Sequence, residues 1–120
     1  MNKKEKKKLK TLHRKAENEK HKEWADAVKE RDKYVCQICG KSLKDGNVHN
    51  IQAHHILAKT TYPELKYDIN NGLTLCYFDH KNSKFSPHLN GFSFTEIFKQ
   101  KFPERYEYLL DMLREKWKQS

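Results

Sequence analysis

Residues 51–80 read IQAHHILAKTTYPELKYDINNGLTLCYFDH, and this stretch governs the interpretation of the whole chain. It contains adjacent histidines (His54 and His55), an Asn71-Gly72 turn, and Cys76 followed four residues later by His80. A Cys-Gln-Ile-Cys pair lies just upstream, at positions 36 and 39. Residues of these types in this order indicate a small metal-stabilised fold that also carries titratable side chains for chemistry.

The composition favours one small domain with a tail and a weak apolar core. Of the 120 residues, 36% are hydrophobic and 34% are charged, and such cores are often supplemented by a metal or by disulfides. Three cysteines cannot all pair within one chain, and we see neither a signal peptide nor an apolar run long enough to span a membrane. We therefore expect an intracellular, reducing setting, where Cys-x-x-Cys is more often a metal site than a disulfide.

The positive charge is concentrated at the N-terminus. The net charge is +9, and residues 1–22 carry ten Lys or Arg against three Glu, whereas the remainder carries fifteen basic against thirteen acidic side chains. Such a basic arm attracts nucleic-acid phosphates, with an affinity that falls as salt rises. The alternative is a solvated end that only aids solubility.

The apolar pattern predicts a helix before the cysteines. Residues 1–10 form a low-complexity tail, and from Thr11 the spacing predicts a helix that ends near residues 31–33. Trp24 and Val28 are its predicted docking points on the core.

Two short strands and further helices are predicted after the cysteines. The strands are Val48–Leu57 and Gly72–Cys76, with a helical turn near residues 63–65 between them and a short helix over residues 77–84 after them. A capping box at Ser93-x-x-Glu96 predicts the start of another helix, and Pro103 predicts the start of the last one. The last helix carries an apolar packing stripe: Phe102, Tyr106, Leu109, Leu110, Leu113 and Trp117.

The cysteines predict a structural zinc site. Such sites use four tetrahedral ligands and favour thiolates. Cys36 and Cys39 supply two ligands, and Cys76 supplies a third. Asp79 stands where a second Cys-x-x-Cys would place its last thiol, which predicts a Cys3Asp site, with His80 or His49 as alternative fourth ligands. The competing interpretation is a set of buried thiols without metal.

The histidines suit hydrolysis of a phosphodiester. That reaction needs an activated water, a cation at the phosphate and an oriented base. Adjacent residues on a strand point to opposite faces, so we expect His54 and His55 to have different roles. Asn71 can fix a backbone group or an imidazole through its amide.

Together these motifs resemble the HNH endonuclease family, over residues 34 to about 88. The resemblance rests on Cys36-x2-Cys39-Gly40, Ala53-His54-His55-Ile56, Asn71-Gly72-Leu73-Thr74-Leu75-Cys76 and His80, in one ordered set. The combination resembles in particular the small stand-alone HNH nucleases of bacteriophages and bacteria. The downstream Ser86-Pro87-His88 also resembles that subgroup. The family implies an α+β fold, with a small ββα-metal core and a zinc knuckle flanked by N-terminal and C-terminal helices. We expect a basic tail or helix over 1–22, the nuclease domain over 23–90, and C-terminal helices over 91–120 packed on that domain.

The resemblance also implies roles for individual residues. His55 would be the general base, Asn71 would position the loop and the base, and His54 and His80 would hold a catalytic divalent ion, with His88 as a further candidate. Mg2+, Mn2+, Ni2+, Co2+ or Zn2+ would serve as that ion, beside the structural zinc. Many relatives with this zinc staple carry a cysteine where Asp79 stands. The implied partner is DNA, cut in a bacterial or phage-infected cytoplasm, with a possible protein partner for targeting and no membrane.

Two other functions compete with this interpretation. A non-catalytic zinc-dependent nucleic-acid-binding module explains the cysteines but not the histidine pair. A protein-interaction domain built on the C-terminal stripe predicts a tight complex and no metal-dependent cleavage. His13 and His21 are expected to be ordinary surface residues, and His49 can be one too.

Overall fold

The computed structural model describes residues 1–40, 42, 51–76, 87 and 91–119. Within these ranges, helix α1 (Lys3–Arg31) precedes strand β1 (Ile51–His55), and strand β2 (Gly72–Cys76) follows two 3-10 turns. The chain then forms helices α2 (Gly91–Lys101) and α3 (Pro103–Gln119). Helices around a small antiparallel sheet confirm the predicted α+β class. None of the described helices is long and apolar enough to cross a membrane.

The two strands pair antiparallel and form the centre of the core. Ile51 lies opposite Cys76, and His55 lies opposite Gly72. Every residue of β2 is buried, because its apolar side chains are covered on both faces. The predicted bounds of β2 are confirmed. Strand β1 ends two residues before the predicted end, at His55, and residues 48–50 lie outside the described part of the chain.

Helix α1 begins earlier than the sequence suggested. The segment predicted as a tail is helical from Lys3, because the Asn2 side chain caps the helix by accepting a hydrogen bond from the Glu5 amide at 2.9 Å and the lysines that follow are good helix formers. The predicted docking points are confirmed: Trp24 and Val28 are buried.

The end of α1 is tied to strand β2. Arg31 donates to the Gly72 carbonyl at 2.7 Å, and the buried Asp32 carboxylate accepts from the Thr74 amide at 2.9 Å. Lys33 and Tyr34 then adopt left-handed backbone angles, with φ of 56° and 58°. These two residues turn the chain sharply from the helix into the first cysteine.

Gly72 allows α1 to approach the sheet closely. A Cβ atom at this position would lie 2.4 Å from Val28 Cγ2 and 2.8 Å from Trp24 Cζ2. Such distances are shorter than any real carbon contact, so a larger residue would force the helix away from the strand. The Asn-Gly pair is therefore a packing site as well as the turn that its sequence predicted.

The C-terminal helices close the other side of the core. Phe94, Phe98 and Leu109 are buried in the same cluster as Leu73 and Leu75. Helix α3 begins at Pro103 as predicted, but the predicted apolar stripe is only partly a packing face, since Trp117 is 65% exposed.

The capping-box prediction for α2 is wrong. Ser93 lies inside the helix, which already includes Gly91, so its hydroxyl cannot serve as the N-cap. The short helix predicted over residues 77–84 lies outside the described residues.

Candidate nuclease site and metal centre

The three cysteines meet beside strand β2. Cys36 and Cys39 lie on a tight turn, in which Gly40 has a φ of 77° and donates from its amide to the Cys36 carbonyl at 2.9 Å. A second backbone bond, from the Gln37 amide to the Thr74 carbonyl at 3.0 Å, holds this turn against β2. The knuckle is thereby positioned next to Cys76, the last residue of the strand.

The cysteine geometry fits a zinc ion. The sulfur atoms of all three residues lie within 4.8 Å of one another, and Cys39 Sγ is 3.8 Å from Cys76 Sγ. Tetrahedral ligands with Zn–S bonds of about 2.3 Å are separated by about 3.8 Å. Cys36 and Cys76 are buried and Cys39 is exposed, so an ion here would lie at the edge of the core. The candidate fourth ligands, Asp79, His80 and His49, lie outside the described residues.

The adjacent histidines point to opposite faces of β1, as expected for a strand. The His54 ring meets the edge of Phe94, with centroids 5.4 Å apart and planes at 88°. The His55 ring stacks on Trp24, with centroids 4.0 Å apart and planes at 6°. His54 therefore faces helix α2, and His55 faces helix α1.

The hydrogen bonding of His55 fixes its tautomer. His55 Nε2 lies 2.8 Å from the carbonyl oxygen of Lys66. A carbonyl can only accept, so Nε2 carries the proton and the neutral ring keeps its lone pair on Nδ1. Burial lowers the pKa of His55, and nearby His21 and Lys59 lower it further, against the opposing effect of the Lys66 carbonyl. An imidazole held neutral with one free lone pair suits a general base.

A polar cleft lies beside His55, between α1 and the loop that follows β1. Its volume is about 360 Å³. His21, Lys59 and Lys66 place basic groups on its walls, together with Glu17, Asn18, Thr60 and Tyr67. Because Lys66 is paired with Glu17, Lys59 is the lysine whose charge can attract an anionic ligand next to the imidazole.

His21 is a site residue that the sequence analysis missed. It was expected to be a surface or satisfied polar histidine, and it is indeed exposed, but its ring also lies 5.8 Å from His55 and 5.6 Å from Trp24. Burial lowers the pKa of His21, and Lys59 and Lys29 add to this effect. One signal was available: Glu17, His21, Trp24 and Val28 follow each other in steps of four and three residues, so they share one face of a helix.

Glu17 anchors the segment that holds His55. Its carboxylate accepts from Lys66 Nζ at 2.7 Å and from the Tyr67 hydroxyl. The hydrogen bond from Lys66, followed by that from Tyr67, lowers the pKa of Glu17 to about 2. Since the Lys66 carbonyl is the partner of His55, this interaction fixes the position of the imidazole from the helix side.

Asn71 is buried and its side chain holds the same loop by hydrogen bonds. Its side chain is fully buried, and its Oδ1 accepts from the Leu57 amide at 2.7 Å. Its Nδ2 donates to the carbonyls of Leu57 at 3.0 Å and Leu65 at 3.1 Å. Leu65 precedes the residue that binds His55, so Asn71 influences the position of His55 through the loop. The amide is buried away from solvent, so its position supports a structural role and not a direct contact with a substrate.

Residues 36–85 match the HNH endonuclease family model, which confirms the resemblance found in the sequence. No curated protein and no solved structure matches the chain. The matched segment contains the three cysteines and both strands, but helices α1, α2 and α3 lie outside it. His21, Trp24 and Glu17 therefore belong to a part of the chain that the match does not cover.

Proposed function

We propose that this chain is a metal-dependent endonuclease that hydrolyses DNA phosphodiester bonds, with His55 as the general base. The observation that carries the proposal is the fixed neutral tautomer of His55, next to a cleft with basic walls in a segment of a nuclease family. His55 Nδ1 takes the proton from the attacking water, and the Lys66 carbonyl keeps the ring oriented. By the family's chemistry, the products carry 5′ phosphates.

Lys59 holds the phosphate in this proposal, because it lines the cleft, whereas the ammonium group of Lys66 is paired with Glu17. Lys41, Lys44 and Lys84 are further candidates that lie outside the described residues. Asn71 is a positioning residue, because its bonds reach the base only through the loop backbone.

His54 and His80 are the proposed ligands of the catalytic divalent ion. His54 is half-buried and lies on β1 next to His55. Mn2+, Ni2+, Co2+ and Zn2+ bind imidazole readily. Mg2+ is also a candidate, and it usually binds few protein ligands and keeps several waters. When bound, the ion supplies the positive charge that stabilises the departing 3′ oxygen. His88 is a further candidate, outside the described residues.

A separate structural zinc is proposed at Cys36, Cys39 and Cys76, with Asp79 as the fourth ligand. The sulfur geometry supports three of these ligands. The zinc would link the turn after α1 to the end of β2, which joins parts of the chain that are forty residues apart.

The test is incubation of the purified protein with supercoiled and linear DNA under a panel of divalent ions, with EDTA as the control. We expect ion-dependent cleavage, and we expect a folded His55→Ala variant to lose it. If the wild-type protein binds DNA but does not cut it under any ion, the non-catalytic zinc-dependent nucleic-acid-binding module is the correct function. Cleavage that persists in His55→Ala would remove His55 from the role of base.

A further inference from the structure

Helix α1 carries one continuous stripe from its exposed end to the nuclease cleft. Eight positions follow each other in alternating steps of four and three residues, the spacing that places side chains on one face of a helix. They are Lys3, Lys7, Lys10, Arg14, Glu17, His21, Trp24 and Val28. We call this set the α1 stripe.

The α1 stripe changes character along the helix. At its C-terminal end Trp24 and Val28 are buried against the sheet. In the middle, Glu17 and His21 line the cleft beside His55. At its N-terminal end all four positions are Lys or Arg, and all four are exposed. The one acidic member, Glu17, is bound by Lys66 and Tyr67, so its charge is locally compensated.

The geometry makes the basic half a direct extension of the cleft. Helix α1 is continuous from Lys3 to Arg31, so the face that meets the cleft at His21 keeps its direction toward the N-terminus. At about 1.5 Å per residue, Lys3 lies about 27 Å beyond His21 along the axis. Successive stripe positions are about 4.5 to 6 Å apart along the helix axis, which gives a row of cations rather than one charge.

We propose that the basic half of the α1 stripe is a track for duplex DNA, which leads one phosphate backbone into the cleft beside His55. The proposal rests on the nuclease function proposed above and deepens it, since it assigns the approach of the substrate to a helix outside the family segment. The four cations neutralise backbone phosphates, and the direction of the helix brings the bound strand to the imidazole.

The chemistry of the stripe favours DNA over a membrane surface. Membrane-binding helices combine basic residues with a face of large apolar side chains. The exposed leucines of this helix end, Leu9 and Leu12, are not members of the stripe and project from a different side. The basic half of the stripe contains no apolar residue, and a row of cations without an apolar face complements a polyphosphate backbone.

The chain offers a matched control for the test. Lys4, Lys8, Lys15 and Lys20 are exposed residues of the same helix, but their side chains project about a third of a turn away from the stripe. The stripe variant replaces Lys3, Lys7, Lys10 and Arg14 with Gln, and the control variant replaces these other four lysines with Gln. Each variant loses four positive charges, and Gln is about as good a helix former as Lys or Arg.

The experiment measures binding and cleavage separately. Binding of a fluorescent 25-base-pair duplex is followed by anisotropy over a series of salt concentrations, with His55→Ala added to each protein so that the DNA stays intact. Circular dichroism checks that the helix content is retained. Cleavage of the same duplex is measured in proteins that keep His55.

We expect the stripe variant to bind about tenfold or more weakly than its parent at moderate salt, and the slope of log K against log salt to fall by about 3. The control variant should lose at most about threefold. In cleavage, the stripe variant should need more DNA for half-maximal rate while its rate at saturation stays near that of the wild type.

Equal losses of affinity in the two variants would overturn the proposal, because the total charge of the helix, and not the position of the cations, would then explain the binding. The absence of a loss in both variants would overturn it too. If the wild-type protein cuts DNA and the two variants behave alike, the nuclease function stands and the track is wrong. If no protein cuts DNA but only the stripe variant loses binding, the track stands and the nuclease function is wrong.

Discussion

The stacked pair of Trp24 and His55 joins a helix that lies outside the family segment to the proposed base. Trp24 covers one face of the imidazole, and its Nε1 donates to the Asp68 carbonyl at 2.8 Å. The Lys66 carbonyl fixes the ring edge. The imidazole is therefore constrained in two directions, by a stacked ring and by a hydrogen bond. Trp24 can affect cleavage by orienting the imidazole, without contact with the substrate, so we regard it as a positioning residue.

Truncating Trp24 should slow cleavage more than it weakens DNA binding. In Trp24→Ala the imidazole loses its stacked partner, and we expect the rate at saturating DNA to fall about ten- to a hundredfold. Trp24→Phe keeps an aromatic face but loses the bond to Asp68, so it should lie between Trp24→Ala and the wild type. Nitrogen NMR of His55 provides an independent readout, because it reports which ring nitrogen carries the proton. A wild-type rate and tautomer in Trp24→Ala would contradict the positioning role.

The stabilisation of the fold by the Glu17 carboxylate should be complete only above its pKa in the unfolded chain and should shrink below that value. The pKa is about 2 in the folded protein, against an ordinary value of 4.5. A carboxylate with a lowered pKa contributes its full stabilisation above the unfolded value, and this contribution disappears as pH falls through the folded value. The difference in unfolding free energy between the wild type and Glu17→Gln should therefore be constant above about pH 5 and shrink between about pH 4.5 and pH 2.

Urea denaturation of both proteins over this pH range measures that difference. Because each value is a difference between two proteins at the same pH, titration of the other carboxylates largely cancels. Glu19→Gln is the control: Glu19 is an exposed neighbour on the same helix that forms no ion pair with the described residues, so its substitution should change stability little. A difference for Glu17→Gln that stays constant down to pH 2 would contradict the assigned interaction.

At the scale of elements, the packing of α1 on β2 depends on one glycine. The helix and the strand are close enough that Gly72 is in contact with Val28 and Trp24. The same glycine lies opposite His55 in the sheet. A change in the distance between helix and strand would therefore also move the Trp24 ring relative to the His55 imidazole.

Gly72→Ala should destabilise the fold by about 3 kcal/mol, because the added methyl group overlaps two buried side chains. Gly91→Ala is the matched control: its Cβ would meet nothing within 4 Å, and Gly91 is the first residue of α2, so this substitution should change stability little. Thermal and urea unfolding provide both values. Val28→Ala removes the nearest clashing atoms, so this substitution should cost less when it is added to the Gly72→Ala variant than when it is made in the wild type. Additive effects of the two substitutions would show that the contact is not as close as described.

Sequence patterns predicted the elements better than the contacts between them. Apolar runs with turn residues at their ends were enough to find β2 and the docking residues Trp24 and Val28. The early start of α1 depends on a single capping side chain, Asn2, which does not affect the apolar pattern. Ser93 carried a capping signal but lies within the helix, because a short motif does not determine where a helix begins.

The candidate site was only partly predictable for a related reason. The two cysteine segments and the opposite directions of His54 and His55 follow from spacing and from strand geometry. Glu17 and His21 do not, because their partners Lys66 and His55 lie more than thirty residues away and a polar helix face resembles a solvated one. The four-three spacing places these two residues of α1 on the same helix face as Trp24 and Val28, but the cleft that this face lines is formed only by packing against residues far away in the sequence.

For the molecule as a whole, the proposed zinc replaces part of a core that the composition leaves thin. Loss of the ion should therefore affect global stability, not only one loop. We expect one zinc per chain that strong chelators remove slowly, with a clear fall in melting temperature on removal. Cys36→Ser, which alters a fully buried ligand, should show a comparable loss in the presence of zinc.

The comparison among ligand variants separates the zinc site from the catalytic ion. Elemental analysis of Cys39→Ser and Asp79→Ala reports zinc content, and we expect a larger loss for the cysteine because thiolates are the stronger ligands. His54→Ala should retain zinc and its melting temperature but lose cleavage. If His54→Ala loses zinc while the cysteine variants keep it, the two metal sites have been assigned the wrong way round.

The backbone of Thr74 has a consequence for how copies of this protein behave toward one another. A sheet with few strands usually exposes unpaired amides and carbonyls along its outer edge, which can recruit another chain by strand addition. Here the outward amide of Thr74 is taken by Asp32 and its carbonyl by the amide of Gln37. At this point the groups that would template a foreign strand are already occupied from within the chain. The contacts of Asp32 and Gln37 should therefore disfavour strand addition by a second copy at this edge of the hairpin.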